Sequence, residues 1–397
     1  MKLFHQLLVA PAAIGLLTPI AANANEVNFK GVSNYSDQDA FIEINTSSFD
    51  NTPVTNPLLA GGEGMVDDSH DHNGGFSSTT VASQEASFLL YGNDGDPANM
   101  GDEEVVGAFY YYGMSLDTSF NGEDNLNVVL ESGNTRDAVN AADILDFGAQ
   151  NGDSLKVADI NYTRSFGDLS VTIGDSLDAS SQFTGACVYS AFTDHLSNCG
   201  TGLSAGLGGD VTISTSYDIG NGLVAGFGLT GVQGSTQSGI FTKESIDAYA
   251  AQLAYSTDSY GLAATYSNID SPVNGTEFIG VINDHTIWGL NGYYNFNGPI
   301  ESISVGFESA NPLTGGDTTN WFAGINSSEF GPGFISAGIG TQKHTTDTAE
   351  EELQYEVSYN WDVNDSTSMT LGGYLLERAA AGTDDQTGVA LKTTFSF

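Results

Sequence analysis

Residues 353–361 read "LQYEVSYNW". Leu353, Tyr355, Val357, Tyr359 and Trp361 share one parity, and Gln354, Glu356, Ser358 and Asn360 share the other. Successive side chains of a β-strand point to opposite faces, so this stretch is a strand with one apolar face and one polar face. The same comb recurs. Ile303, Val305 and Phe307 oppose Ser304, Gly306 and Glu308; Leu169, Val171 and Ile173 oppose Ser170 and Thr172; Val211, Ile213 and Tyr217 oppose Thr212, Ser214 and Ser216. From about Ser83 onward the alternation predicts sixteen strands, at 84–91, 104–120, 124–133, 155–166, 168–175, 210–217, 222–230, 245–256, 259–268, 285–296, 300–309, 318–326, 333–341, 351–361, 366–377 and 387–397.

A soluble β-sandwich has the same period, and two further patterns separate the cases. Connections after even strands are short ("NGE" at 121–123, "DIGN" at 218–221, "TD" at 257–258, "DVND" at 362–365), whereas those after odd strands are longer, as at 134–154, 176–209 and 269–284. An outer-membrane barrel is built this way, with short periplasmic turns and long outer loops. The second pattern is aromatic. The lower ends of the even strands carry Phe120, Phe166, Tyr217, Tyr255, Phe296, Trp361 and Phe397, with Phe330 close to the twelfth. Trp288 and Trp321 suit the opposite interface. Aromatic side chains at one level form a membrane-interface girdle. The expected fold is therefore all-β: a transmembrane antiparallel barrel of about sixteen strands. Glycine-rich outer faces such as "LVAGFGLTG" (223–231) and "FISAGIGT" (334–341) make weaker strands by propensity, yet their apolar parity (Leu223, Ala225, Phe227, Leu229) fits a lipid-facing side; "AFYYYGMSLDTSF" (108–120) has aromatics on both parities and an open register.

Composition agrees. The 397 residues carry 9 Lys+Arg against 50 Asp+Glu, a net charge of -41, which argues against nucleic-acid binding because phosphate contacts need basic patches. With 22 Phe, 17 Tyr and 3 Trp the chain is too aromatic for a disordered acidic segment. At the N-terminus, Lys2, the apolar Leu7–Ile20 and Ala22-Asn23-Ala24 fit a secretory signal over residues 1–24; a membrane anchor is the competing reading, against which the apolar stretch is short. Residues 25–83 then form an N-terminal periplasmic segment and 84–397 the barrel.

A sixteen-stranded barrel leaves a water-filled lumen, so function follows from what lines it. With apolar faces outward, Asp117, Glu131, Glu308 and Glu356 are inward acids and Lys392 is the clearest inward base. Such a pore favours cations. The longest connection, 176–209, holds both cysteines, Cys187 and Cys199, twelve positions apart. In an exported chain a disulfide is the default, with a metal or redox pair as the alternative. His70 and His72, beside Asp67, Asp68 and Asp71, are weak metal candidates against the reading of a polar linker. No catalytic constellation is evident: a Gly-x-Ser-x-Gly elbow and an HExxH motif are both missing. No cofactor is expected, and the chain is not read as an enzyme. A sugar-selective channel needs a line of inward aromatics, for which Tyr111, Tyr293 and Tyr374 are candidates. A plugged barrel serving as a surface receptor or structural element is the other alternative.

The segments "MKLFHQLLVAPAA", "LLAGGEGMVDDSHDHNGGFSSTT", "SLDTSFNGEDNLNVVLESGN" and "GVALKTTFSF" resemble the porins of marine cyanobacteria, which are similar to the carbohydrate-selective OprB-like porins and are also labelled iron-uptake porins. The resemblance runs over most of the chain. It implies a homotrimeric outer-membrane pore for ions and small solutes. It also implies that the terminal Phe397, with Phe395, is read by the barrel-assembly machinery. One departure concerns the S-layer-homology domain and helical linker that such porins often carry before the barrel: residues 25–83 show neither that repeat nor heptads, and "NFKGVSNYSDQDAF" (28–41) resembles at most its start.

Overall fold

The computed structural model describes residues 79–94, 105–135, 144–145, 147, 151–270, 285–312, 317–342, 345–346, 351–378 and 385–397. The expected signal segment (1–24), the expected pre-barrel segment as far as residue 78, and His70 and His72 lie outside the described residues.

Sixteen long strands follow one another: β1 (Thr80–Asp94), β2 (Val105–Thr118), β3 (Asp124–Gly133), β4 (Lys156–Phe166), β5 (Leu169–Asp175), β6 (Val211–Gly220), β7 (Leu223–Gly231), β8 (Asp247–Ser256), β9 (Tyr260–Asp270), β10 (His285–Asn295), β11 (Ile300–Pro312), β12 (Thr318–Ser327), β13 (Gly333–Thr341), β14 (Leu353–Asn364), β15 (Thr367–Leu376) and β16 (Gln386–Ser396). Each pairs antiparallel with its sequence neighbours, and β1 pairs with β16, so the sheet closes on itself. Closure removes the two edges an open sheet would expose. Each predicted strand corresponds to one of these, with ends displaced by a few residues. A two-residue strand, Thr345–Thr346, adds to the outer end of β12.

The turns at one end are tight. Between β6 and β7, Asn221 and Gly222 both have positive φ, 56° and 82°. A two-residue hairpin of this hand needs residues that tolerate the left-handed region. The Cβ of any other residue at 222 would also fall on the Ser256 carbonyl. At this end Phe120, Phe166, Tyr217, Phe296, Phe330 and Phe397 are about half exposed or more. Their rings ride the outer surface as an interfacial girdle does.

Register settles which face is which. Ser87 pairs with Tyr111 and Thr394, and Phe88 with Tyr110. Ser87 is 2 % exposed whereas Phe88 and Leu90 are 55 % and 54 % exposed. Polar parities face in, apolar parities face out, and the register of β2 follows: Phe109 and Tyr111 inward, Tyr110 and Tyr112 outward. The glycines of 223–231 and 334–341 lie on the inner face, since Gly226 and Gly228 share rows with Ser216 and Ser214, and Gly338 with Glu356. The outer parity keeps Leu223, Ala225, Phe227 and Leu229.

Candidate functional site

The chain from Ser176 to Asp210 leaves the wall between β5 and β6 and folds into the barrel. A two-residue ladder starts it, Leu177–Asp178 against Gly208–Gly209. Two hydroxyls of β6 then hold its ascending arm: Thr212 Oγ1 donates to the Leu177 carbonyl at 2.8 Å and Ser214 Oγ to the Ala179 carbonyl at 2.7 Å. Two helical turns follow, α1 (Asp194–Ser197) and α2 (Gly202–Ala205).

Two carboxylates of the wall grip these turns. Glu356 on β14 accepts the backbone N–H groups of Phe192 and Thr193, both at 2.9 Å, and the Tyr189 hydroxyl at 2.7 Å. The Thr193 hydroxyl donates to it as well. Glu308 on β11 accepts the N–H groups of Leu203 at 3.1 Å and Ser204 at 2.6 Å. The first turn of a helix offers N–H groups without intrahelical partners. The cap residues Thr193 and Thr201 make no side-chain cap bond of their own; Glu308 takes up first-turn N–H groups of α2, whereas Glu356 binds the chain just before α1, at Phe192 and Thr193. Burial, together with the Glu356 charge, raises the Tyr189 hydroxyl above the ordinary tyrosine range and keeps it a donor. Between the two grips, Asn326 on β12 donates to the Val188 carbonyl at 2.7 Å and accepts from Ser190 N at 3.2 Å.

Apolar packing fills what the polar grips leave. Ala179 and Leu207 of the loop pack with Ile246, Ala248, Ala250, Ile269, Ile287 and Ala310, nearly all of them inward residues of β8–β11. Tyr189, Leu196 and Cys199 pack on Phe322 of β12. Cys187 and Cys199 are joined by a disulfide, Cα atoms 6.2 Å apart, which ties the ends of the central stretch of the loop.

Close contact requires small wall residues. A Cβ on Gly228 would fall on the Ala179 carbonyl, on Gly306 on the Cys199 carbonyl, on Gly338 on the Tyr189 ring and on Gly372 on the Phe192 ring. Glycines of β7, β11, β13 and β15 thus form the bed on which the loop lies.

The loop divides the inner wall. Beneath it, on β7–β14, most inward side chains are sealed, though Gln252, Asn291 and Asn360 are partly exposed: Glu308 is 0 % exposed and Glu356 5 %. Both face the interior, but the loop occupies their carboxylates, so they do not line open solvent; strand parity carries no information about a loop that docks from elsewhere in the chain. On β1–β5 and β16 the wall is less completely covered: Ser87, Leu89, Tyr111 and Thr172 are buried, but Glu85, Asp117, Asn125, Asn127, Asn161 and Lys392 are partly exposed. Asp117 accepts from Asn125 Nδ2 at 2.8 Å and Asn127 Nδ2 at 2.9 Å. Glu131, nearer the outer rim and 7 % exposed, is ion-paired to Lys156 Nζ at 3.1 Å. Asp159, which the reading of the sequence passed over, also faces inward, bonded to Asn161 at 3.2 Å. A bulge between Val129 and Leu130 shifts its strand's parity, a signal absent from the alternation itself. Among the described residues no group of three or more His, Cys, Asp or Glu is placed to hold a metal.

No family model and no curated protein matches the chain. Solved structures do match in fold. OprB of Pseudomonas putida, in its high-pH structure, is 12 % identical with a TM-score of 0.60, over 80 % of this chain and 94 % of that one. The anion-selective porin from Comamonas acidovorans is 18 % identical with a TM-score of 0.56, over 80 % and 99 %. A loop L8 deletion mutant of OmpT, an outer membrane protein of Vibrio cholerae, is 10 % identical with a TM-score of 0.56, over 80 % and 100 %. The architecture is that of bacterial outer-membrane porins.

Proposed function

We propose that this protein is an outer-membrane channel for the passive diffusion of ions and small hydrophilic solutes, with a preference for cations. The observation that carries the reading is the less covered part of the inner wall, on β1–β5 and β16. Its charges are Glu85, Asp117, Asp159 and the ion-paired Glu131 against Lys392 and the ion-paired Lys156, so acids outnumber bases. A water-filled lumen lined this way lowers the energy of a cation and raises that of an anion. The sugar-selective alternative is less well supported. Tyr111, Tyr293 and Tyr374 face inward, but their rings lie flat over wall glycines 113, 261 and 388, and Tyr111 and Tyr374 are 7 % and 6 % exposed.

The resemblance to cyanobacterial porins supports export by the residue 1–24 signal and assembly as a homotrimer. It also supports recognition of Phe395 and Phe397 by the barrel-assembly machinery. Reversal potentials in planar bilayers under a KCl gradient test the selectivity. The expected result is potassium preferred over chloride, with the preference reduced in Asp117→Asn and Glu85→Gln. Chloride preference, or an absence of open steps, overturns the proposal; current block by dilute sugars would favour the alternative.

A further inference from the structure

The outer wall of β8–β11 carries a recess of about 930 Å³. Register explains its shape. Leu253, Ala264, Leu290 and Phe307 form one row across the four strands, and Tyr255, Leu262, Gly292 and Val305 form the next. Ala264 and Gly292 are small where their neighbours are large, so the surface sinks between the leucines. Those leucines are open to the surroundings: Leu253, Leu262 and Leu290 are 51 %, 58 % and 57 % exposed. Toward the short turns Tyr255, Tyr260 and Tyr294 close the recess, the first two with ring centroids 5.9 Å apart.

Two features identify an occupant. The recess is continuous with the lipid-facing surface of a transmembrane barrel and lies at its short-turn end, the periplasmic side. Its charge surroundings are one-signed. No Lys or Arg lines it, the flanking Asp258 and Glu301 are exposed acids, and none of the described short turns contains a basic residue. A negatively charged headgroup would meet only carboxylates there. In the hydrocarbon region apolar matter gains nothing by leaving other apolar matter, so selective binding rests on close packing and on hydrogen bonds at the interface. The recess supplies the first and its tyrosine hydroxyls the second.

We propose that the β8–β11 recess binds one acyl chain of a periplasmic-leaflet lipid whose headgroup carries no net negative charge. The site is independent of what passes through the lumen. The test is native mass spectrometry of the full-length protein in neutral detergent, incubated with dioleoyl phosphatidylcholine or dioleoyl phosphatidylglycerol. The expected result is retention of phosphatidylcholine several-fold above phosphatidylglycerol, lost in Ala264→Phe, which fills the recess, with wild-type conductance kept. Val305→Trp fills it from the opposite wall and serves if the first variant does not fold. Equal retention by wild type and filled variants overturns the proposal. So does phosphatidylglycerol held at least as well, or a filled variant that changes the mass of the assembly, which would mean that a second copy covers this face.

Discussion

Glu356 shows how one side chain sets the shape of the passage. It is buried, and four donors converge on it: two N–H groups and two hydroxyls, all from the loop. A buried donor left without an acceptor costs about 1–3 kcal/mol, so removing this carboxylate penalises the docked position several times over. The barrel itself is held by strand ladders that do not involve the side chain. Glu356→Ala is therefore expected to free the loop while the barrel stays folded. Because the loop lies flat against the wall, release moves it into the lumen, and single-channel records should show rapid closures below the wild-type level. A steady wild-type current from Glu356→Ala would show that the carboxylate is not a grip. Glu308 holds the second helical turn through the N–H groups of Leu203 and Ser204.

At the scale of the element, the loop and the glycine bed are one device. Gly306, Gly338 and Gly372 weaken their strands by propensity, since glycine loses most entropy on ordering and packs nothing. They are retained in the structure by the loop that rests on them. Gly306→Val places a Cβ on the Cys199 carbonyl, a backbone atom tied by the disulfide and unable to turn aside. The expected outcome is displacement of the loop, read as the same closures. Gly373→Val is the control: it sits on the outer parity, and the nearest atom to its Cβ is the Gly388 carbonyl oxygen at 3.3 Å. Its current should match wild type. If Gly306→Val behaves like the control, the loop does not depend on the bed.

At the scale of the whole molecule, closure of the barrel runs through the last residue. Gln84 N donates to the Phe397 carbonyl at 2.7 Å and Phe397 N donates to the Gln84 carbonyl at 3.0 Å. Phe395 meets Phe88 edge-on across the same seam, ring centroids 6.2 Å apart. Phe397 itself is 66 % exposed at the girdle. Deleting it removes two closing hydrogen bonds and an interfacial anchor but no lumen residue. Fewer barrels should insert into membranes, counted by folded protein in outer-membrane fractions, and those that insert should conduct normally. Normal insertion would count against both the closure argument and the proposed assembly signal.

The alternation of side chains determined the strands, their number and their faces, and the gaps between the combs gave the short and long connections, because each is a property of neighbours along the chain. The same comb put Asp117, Lys392, Glu308 and Glu356 on the inner parity. Only the tertiary structure decided which of these meet solvent. Leu203 and Glu308 are 105 residues apart, Thr193 and Glu356 163. No local period encodes contacts at such separations. The glycines of 223–231 and 334–341 read in the sequence only as weak strand propensity; their cause is a loop arriving from another part of the chain.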